Sequence, residues 1–316
     1  FFLLYQQQLT SSHRKAGWSV RVHDTIDSTN AEAMRLAAQG EPLPLVVMSE
    51  QQTAGRGRRG RKWVSPFAEN LYYSLLLRVD GGMRQLEGLS LVVGLAVANT
   101  MRALGVKDAG LKWPNDILVR QRKLAGVLLE LTGDPADVCH VVIGIGININ
   151  MRTSDEVDQS WTSLMLEAGA AVDRNKVAAS LSAELNTLLA AHREGGFAVF
   201  QEEWERNHLW QNEPVTLLAG SNAIEGIVVG VDAVGASSAL RRGNSSKSKN
   251  GMASSGSRNR LRGSRRVKGK RKAAKPAFVS KYATVYPEFR CERLSVCFVL
   301  VFRFLFVSCF LLFLFL

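Results

Sequence analysis

Cysteine is scarce in this chain and poorly placed for chemistry. The 316 residues hold four, Cys139, Cys291, Cys297 and Cys309, with no C-x-x-C spacing and no cysteine-histidine cluster, which excludes a zinc-type centre. Cys139 is alone before residue 237, so that part forms no internal disulfide and fits a reducing compartment. Histidine offers no more: His13, His23, His140 and His208 match no catalytic pairing, and His192 falls on the apolar face of a helix. No Lys-Ser or Lys-Thr closes a G-x-x-x-x-G, so there is no P-loop. The opening FFLLY is too short for the apolar part of a signal peptide, and residues 1–16 read as a fragment end or tag-like remnant.

Acid is missing from one long stretch. Residues 237–276 carry fourteen Lys and Arg and no Asp or Glu, while the whole chain is +12. Residues 277–316 add +2, which leaves residues 1–236 at −4. The body is mildly acidic, and its global charge gives no reason to expect nucleic acid. The basic tract has almost nothing to bury and is expected to be disordered. Ser295–Leu316 is apolar around a lone Arg303 and has about the length that spans a bilayer. A tail anchor is one reading of it. The preferred one is that the last eighty residues are a frame-shifted or mispredicted end, because a small β module stops mid-pattern at VVGVDAVGA.

What is present reads as a mixed α+β domain. Strands are predicted at Trp18–His23, Leu45–Met48, Leu71–Arg78, Gly110–Trp113, Ile117–Arg120, Leu124–Leu131 and Asp137–Ile147, with a tight turn around Gln121-Arg122. Thr29 followed by Glu32 fits a capping box, which predicts a helix over Asn30–Gln39. Gln85–Leu104 and a stretch from 173 to 193 capped by Asp173 have helical periodicity. Phe197–Leu209 is read as a further helix, and Val215–Leu218 and Ile224–Val231 as strands of the β module. The expected fold class is α+β, a mixed and largely antiparallel sheet packed with helices, followed by part of a small β-barrel over 210–236.

Three stretches carry chemistry. EQQTAGRGRRGRKWV (Glu50–Val64) alternates Gly55, Gly57 and Gly60 with Arg56, Arg58, Arg59 and Arg61, and has no large apolar side chain before Trp63. Alone it reads as a solvated surface, a localisation signal or a nucleic-acid patch. Its packed guanidinium groups also suit an anion, above all phosphate. In LKWPNDILVRQRKLAGVLLE a hairpin brings Lys123 toward Asn115 and Asp116. GIGIN (Gly144–Asn148) ends a buried strand with two glycines that let a ligand lie against the backbone. It is no dinucleotide fingerprint, since Ile149 stands where the third glycine belongs and no helix pattern follows.

Over Trp18–Gly235 the chain resembles the biotin protein ligases, through DSTN (27–30), QTAGRGRRGRKW (52–63), KWPND (112–116), RKLAG (122–126) and GIGIN (144–148), in the family's order and spacing. The resemblance implies a class II synthetase-like biotin/lipoate ligase fold with an SH3-like C-terminal barrel. It implies an enzyme that forms biotinyl-5'-AMP from biotin and ATP with Mg2+, then transfers biotin to a lysine of the biotin carboxyl carrier domain of acetyl-CoA carboxylase or a related enzyme. By the same resemblance Ser28, Thr29 and Gln52 take the biotin head, and Asn30 is a further biotin-binding residue. Gly55, Arg56 and Arg58 come from the loop, Gly126, Gly144 and Gly146 form the wall, and Lys123 meets the carboxylate. The ATP and adenylate side is Arg58, Arg61, Trp63, Lys112, Asn115, Asn148 and Trp161. Asp116 is the implied magnesium ligand, and Lys123, Arg58 and Asp116 the catalytic groups. A cytoplasmic location is expected, with no DNA partner because only sixteen residues precede Gly17 where some members carry a helix-turn-helix, and no membrane. Dimerisation, common in the family, has no marker here. The rival readings are a lipoate or octanoyl ligase of the same superfamily, a nucleic-acid-associated regulator using the basic tract, and a membrane-tethered ligase. The loop together with KWPND and RKLAG favours biotin.

Overall fold

In LYYSLLLRVD a period of two sends Leu71, Tyr73 and Leu75 to one side and Tyr72, Ser74 and Leu76 to the other, and all of them are buried. A strand buried on both faces needs cover on both, and that requirement lays out the molecule. The computed structural model of the protein describes residues 3–13, 17–219 and 222–241. The central strand is β3 (Leu71–Asp80). Around it lie β1 (Ser19–Ile26), β2 (Leu45–Gln52), β4 (Ala109–Lys112), β5 (Asp116–Val119), β6 (Arg122–Gly133) and β7 (Val138–Ile147). The order across the sheet is β1-β2-β3-β7-β6-β5-β4. β1 and β2 run parallel and the other neighbours antiparallel, the mixed and largely antiparallel sheet that the sequence implies.

Helices α3 (Leu89–Ala103) and α5 (Arg174–Gly195) cover one face, where Val93, Val97, Leu181 and Leu185 join Tyr73, Leu75, Ile143 and Ile145 in the main core. The opposite face has a smaller lid at one end. There α2 (Thr29–Ala38) packs Ala33 and Leu36 on Leu45, Val47, Leu76 and Val142. Beyond that patch the same face carries Ser74, Gly144, Gly146 and Gly126, and there the cleft opens.

Several element boundaries differ from the expectation. The cap of α2 is Ser28, whose side chain accepts from the Ala31 amide, and not Thr29. The β5–β6 turn lies at Arg120-Gln121, both at positive φ, and not at Gln121-Arg122. The segment 82–86 is a short 3-10 turn ahead of α3, and 197–200 another ahead of α6 (Gln201–Arg206). A short α4 (Leu164–Ala168) follows the cleft strands. Strands β8 (Pro214–Ala219), β9 (Asn222–Val231) and β10 (Ser237–Arg241) form a second, antiparallel sheet. β10 lies where the basic tract was expected to begin, so the β module runs past residue 236. The rest of the basic tract and the apolar tail fall outside the described residues. Among the described residues no helix is long and apolar enough to cross a membrane.

The N-terminal segment is built into the domain rather than appended to it. Helix α1 (Gln6–His13) buries Leu9 against the main core, the Leu4 amide donates to Glu50 Oε1 at 2.5 Å, and Tyr5 N–H donates to Asn175 Oδ1 at 2.9 Å. Glu50 also forms a buried ion pair with Arg174, whose Nη1 donates to the Asn70 carbonyl. His13 Nδ1 lies 2.7 Å from the Leu9 carbonyl, which can only accept, so Nδ1 carries the hydrogen. Burial pushes the His13 pKa down, the Leu9 carbonyl opposing, and Nε2 lies 2.5 Å from Ser182 Oγ, which also lies 2.8 Å from the Ala178 carbonyl and has one hydrogen for the two. Tyr73 Oη is 2.9 Å from the same Oγ. Ser182→Ala strips a hydrogen-bond partner from a fully buried phenol and from a buried imidazole. A loss of about 1–3 kcal/mol is expected, read from urea melts; an unchanged midpoint would remove this relay from the account of stability.

Candidate functional site

The floor of the cleft is made by absent side chains. Register places Tyr72, Gly146, Gly126 and Asp116 in one row across β3, β7, β6 and β5, with Ser74, Gly144 and Leu128 in the next. Three glycines in sheet interior leave a bare strip of backbone, the usual mark of a close approach. The approach is occupied by the Trp63 indole. A Cβ on Gly146 would sit 2.8 Å from Trp63 Nε1, and one on Gly126 would sit 3.3 Å from Trp63 Cζ3. The remaining space is about 50 Å3, room for a water or two. An organic ligand on the glycine floor therefore requires the indole to move. Trp63 Nε1 is buried without a hydrogen-bond partner, so the move breaks no hydrogen bond of the indole.

One end of the cleft is polar and neutral. Thr29 N–H and Oγ1 both donate to Gln52 Oε1, at 2.9 and 3.1 Å. Gln52 Nε2 donates to Ser65 Oγ at 3.1 Å. Ser74 Oγ, on the floor, lies 2.6 Å from Asn30 Oδ1 and 2.8 Å from Thr29 Oγ1, with one hydrogen for the two. Ser28, Thr29, Asn30 and Ser74 are all buried. Such a cluster is costly unless satisfied, so it selects a ligand head that both donates and accepts.

The other end is cationic. Lys123 Nζ lies 2.8 Å from Asp116 Oδ1, an ion pair whose angle falls short of a hydrogen bond. Arg58 Nη1 donates to Asn115 Oδ1 at 3.0 Å, and Asn115 Nδ2 to the Val127 carbonyl at 2.8 Å. Burial lowers the Arg58 pKa, with Arg59 adding to the shift, Asp116 opposing it and Arg61 adding to it. A guanidinium short of water and beside like charge is one that an anion would stabilise. The basic segment itself is a small hairpin: Trp63 N–H donates to the Gly55 carbonyl and Gly57 N–H to the Arg61 carbonyl, around a turn with Arg59 and Gly60 at positive φ. Arg56 pairs with Glu130 at 3.2 Å.

Of the residues expected at the site, Ser28, Thr29, Asn30, Gln52, Arg56, Trp63, Asn115, Lys123, Gly126, Gly144 and Gly146 line this one cleft. Gly55 is buried at the base of the hairpin, and Arg58 and Asp116 reach the cleft through Asn115 and Lys123. Arg61 is exposed at the hairpin turn. Three others stand apart from the lining. Lys112 Nζ lies 5.2 Å from the Trp210 ring centroid. Trp161 flanks the Lys123 backbone, where Lys123 N–H donates to Ser160 O and Thr162 N–H to Lys123 O. Asn148 is buried, its Nδ2 donating to Thr162 O at 3.0 Å. Among the described residues no group of three or more His, Cys, Asp or Glu could hold a metal ion, and Asp116 is a single carboxylate already paired with Lys123. Sequence reasoning missed Ser65, Ser74, Tyr72 and Glu130. The signal for Ser74 was a lone hydroxyl inside an apolar strand, and for Glu130 a lone acid in GVLLELTG.

Residues 22–148 match the biotin/lipoate A/B protein ligase family. The chain is 44% identical over 222 residues to the bifunctional ligase/repressor BirA of Escherichia coli, covering 70% of this chain and 68% of that protein. It is 36% identical over 219 residues to the biotin-[acetyl-CoA-carboxylase] ligase of Paracoccus denitrificans, covering 66% of this chain and 89% of that one. Among solved structures, the biotin protein ligase of Aquifex aeolicus in complex with biotin and ATP superposes with a TM-score of 0.62 at 32% identity, over 70% of this chain and 91% of that one.

Proposed function

The chain belongs to the biotin protein ligases of the biotin/lipoate A/B protein ligase family, and from that premise we propose that it activates biotin with ATP and passes it to a lysine of a biotin carboxyl carrier domain. One observation carries this reading: a glycine floor runs from a neutral donor-acceptor cluster to two half-buried cations, Lys123 and Arg58, with a basic hairpin above it. Biotin has that polarity, a neutral ureido head and a carboxylate tail. In the first step a carboxylate oxygen attacks the α-phosphorus of ATP, forming the acyl-phosphate bond and releasing pyrophosphate. Lys123 and Arg58 offset the negative charge gathered there. In the second the acceptor amine attacks the acyl carbon and AMP leaves.

Asp116 is the carboxylate that would meet a magnesium ion bound with the ATP phosphates, where the ion would help to offset their charge. The hairpin, with Trp63 lifted from the floor and laid over ligand, keeps water from the mixed anhydride. Mass measurement of an apo carrier domain incubated with the chain, ATP, magnesium and either biotin or lipoate tests the reading. A biotinyl shift is expected. A lipoyl shift without a biotinyl one would overturn it in favour of the sister activity.

Asp116 has a further part in the second step. A lysine amine, with an ordinary pKa of about 10.4, must lose a proton to attack, and Asp116 is the carboxylate placed to take it once Lys123 turns to the ligand. Asp116→Asn is expected to slow transfer from preformed biotinyl-adenylate at least about tenfold. Unchanged single-turnover transfer would take Asp116 out of that step.

A further inference from the structure

Both ends of the basic hairpin are tied to the head of the cleft by polar contacts, and Glu130 closes the circuit. Its Oε2 accepts from Asn30 Nδ2 at 2.7 Å and from Arg56 Nη2 at 3.2 Å. From Asn30 the contacts run through Ser74 to Thr29 and Gln52, then to Ser65, whose hydroxyl donates to the Trp63 carbonyl at 3.0 Å. Arg56 opens the hairpin and Trp63 ends it, so the side chains of the head end touch both.

Glu130 is separated from Arg56 by 74 residues and from Asn30 by 100, and only the sheet brings them together. Its carboxylate does two physical things. It accepts only, so it forces the Asn30 amide to present Nδ2 toward it and Oδ1 toward Ser74. It also neutralises Arg56, which would otherwise set an unpaired cation beside a neutral head group.

We propose that Glu130 is a positioning residue that couples closure of the basic hairpin to recognition of the ligand head, orienting Asn30 and holding Arg56 beside it. The proposal rests on the ligase reading of the same cleft. It assigns the head end its preference for a neutral polar group, leaving anions to Lys123 and Arg58.

Calorimetric titration of the full chain with biotin, together with biotin-dependent ATP-pyrophosphate exchange, tests it. Glu130→Ala is expected to weaken biotin about tenfold and to speed its dissociation, with the KM for ATP within about twofold of wild type. Glu130→Gln keeps an acceptor for Asn30 without the charge and is expected to recover about half of that loss on a logarithmic scale. The Arg56→Ala and Glu130→Ala losses are expected to be non-additive. A merely structural role would move biotin and ATP parameters together and lower the melting temperature; that pattern, or a biotin Kd within twofold of wild type, overturns the proposal. If the alanine variant fails to fold, the glutamine variant decides, and wild-type affinity in it is the overturning result. A wild-type chain that binds biotin yet labels no carrier counts against the ligase reading and leaves Glu130 to be judged on binding; one that binds no biotin overturns both.

Discussion

Gly144→Ala is expected to weaken biotin binding by about a hundredfold and to lower the melting temperature as well, more than Gly94→Ala does. A Cβ at Gly144 would sit 2.7 Å from Asn30 Nδ2 and 2.8 Å from its Cγ. Asn30 has nowhere to withdraw, because Ser74 holds its Oδ1 at 2.6 Å and Glu130 its Nδ2 at 2.7 Å. Overpacking costs about 1–3 kcal/mol, and a displaced amide forfeits hydrogen bonds of similar worth. The overpacking is borne by the free protein, whereas the hydrogen bonds that a displaced Asn30 no longer offers the ligand head amount, at about 1.4 kcal/mol per tenfold, to about two orders of magnitude in affinity. Alanine in a strand is otherwise easier than glycine by about 0.5–1 kcal/mol, which offsets part of the strain in the free protein. Gly94 of α3 supplies the control, since a methyl there meets nothing nearer than Leu111 Cδ2 at 3.6 Å. Calorimetry with biotin and a thermal melt of both variants settles the matter. Wild-type biotin affinity in Gly144→Ala would mean that the ligand head does not lie at Asn30.

Gly146 behaves differently because its neighbour belongs to a hairpin. A methyl there pushes on the Trp63 indole, which has to leave the floor for any ligand. The two glycines thus separate a fixed wall at the head of the cleft from a yielding one at its middle. That difference follows from which element carries the opposing side chain: α2 and its hydrogen bonds for Gly144, the basic hairpin for Gly146.

The parts legible in the sequence were those written in local pattern. Apolar runs marked β3 and β7 to within two residues, and DSTN, GRGRRG and RKLAG could be placed at element ends, where ligand groups gather. Three kinds of feature were not legible. Ser28 and Thr29 carry the same hydroxyl, and only backbone geometry decides that Ser28 caps α2. Contacts set by tertiary packing join residues far apart in sequence, such as Glu130 with Arg56 and Glu50 with Arg174; no local pattern records them. The role of α1 was hidden for another reason. QQQLTSSH has weak amphipathic patterning, and it is held by single insertions, Leu9 and His13, rather than by a stripe. Lys112, which its motif assigns to the nucleotide, has its ammonium over Trp210, apart from the residues that line the cleft.

Lys123→Ala is expected to lower the rate of adenylate formation by about a thousandfold. The substitution is clean because the backbone at 123 is held from both sides, its N–H by Ser160 O and its carbonyl by Thr162 N–H, each at 2.9 Å. The backbone stays in place, and the side chain that is lost beyond Cβ carries a largely buried ammonium, being 15% exposed. A cation placed where charge develops is worth about 10²–10³ in rate per donor. Here its removal also leaves Asp116, 19% exposed, as an uncompensated negative charge facing two incoming anions, which adds to the barrier. Arginine does not rescue. Gly126 packs within 3.3 Å of Lys123 Cε by the position of its missing Cβ, so the stem lies along a wall that the wider planar fork cannot follow. Transfer from preformed biotinyl-adenylate is expected to fall far less, within about tenfold, because the proposed second step relies on the Asp116 carboxylate rather than the ammonium. Pyrophosphate exchange and single-turnover transfer, measured on the same variant, separate the two steps. Equal losses in both would show that Lys123 serves the acyl carbon as much as the phosphate, and the division of labour between Lys123 and Asp116 would have to be abandoned.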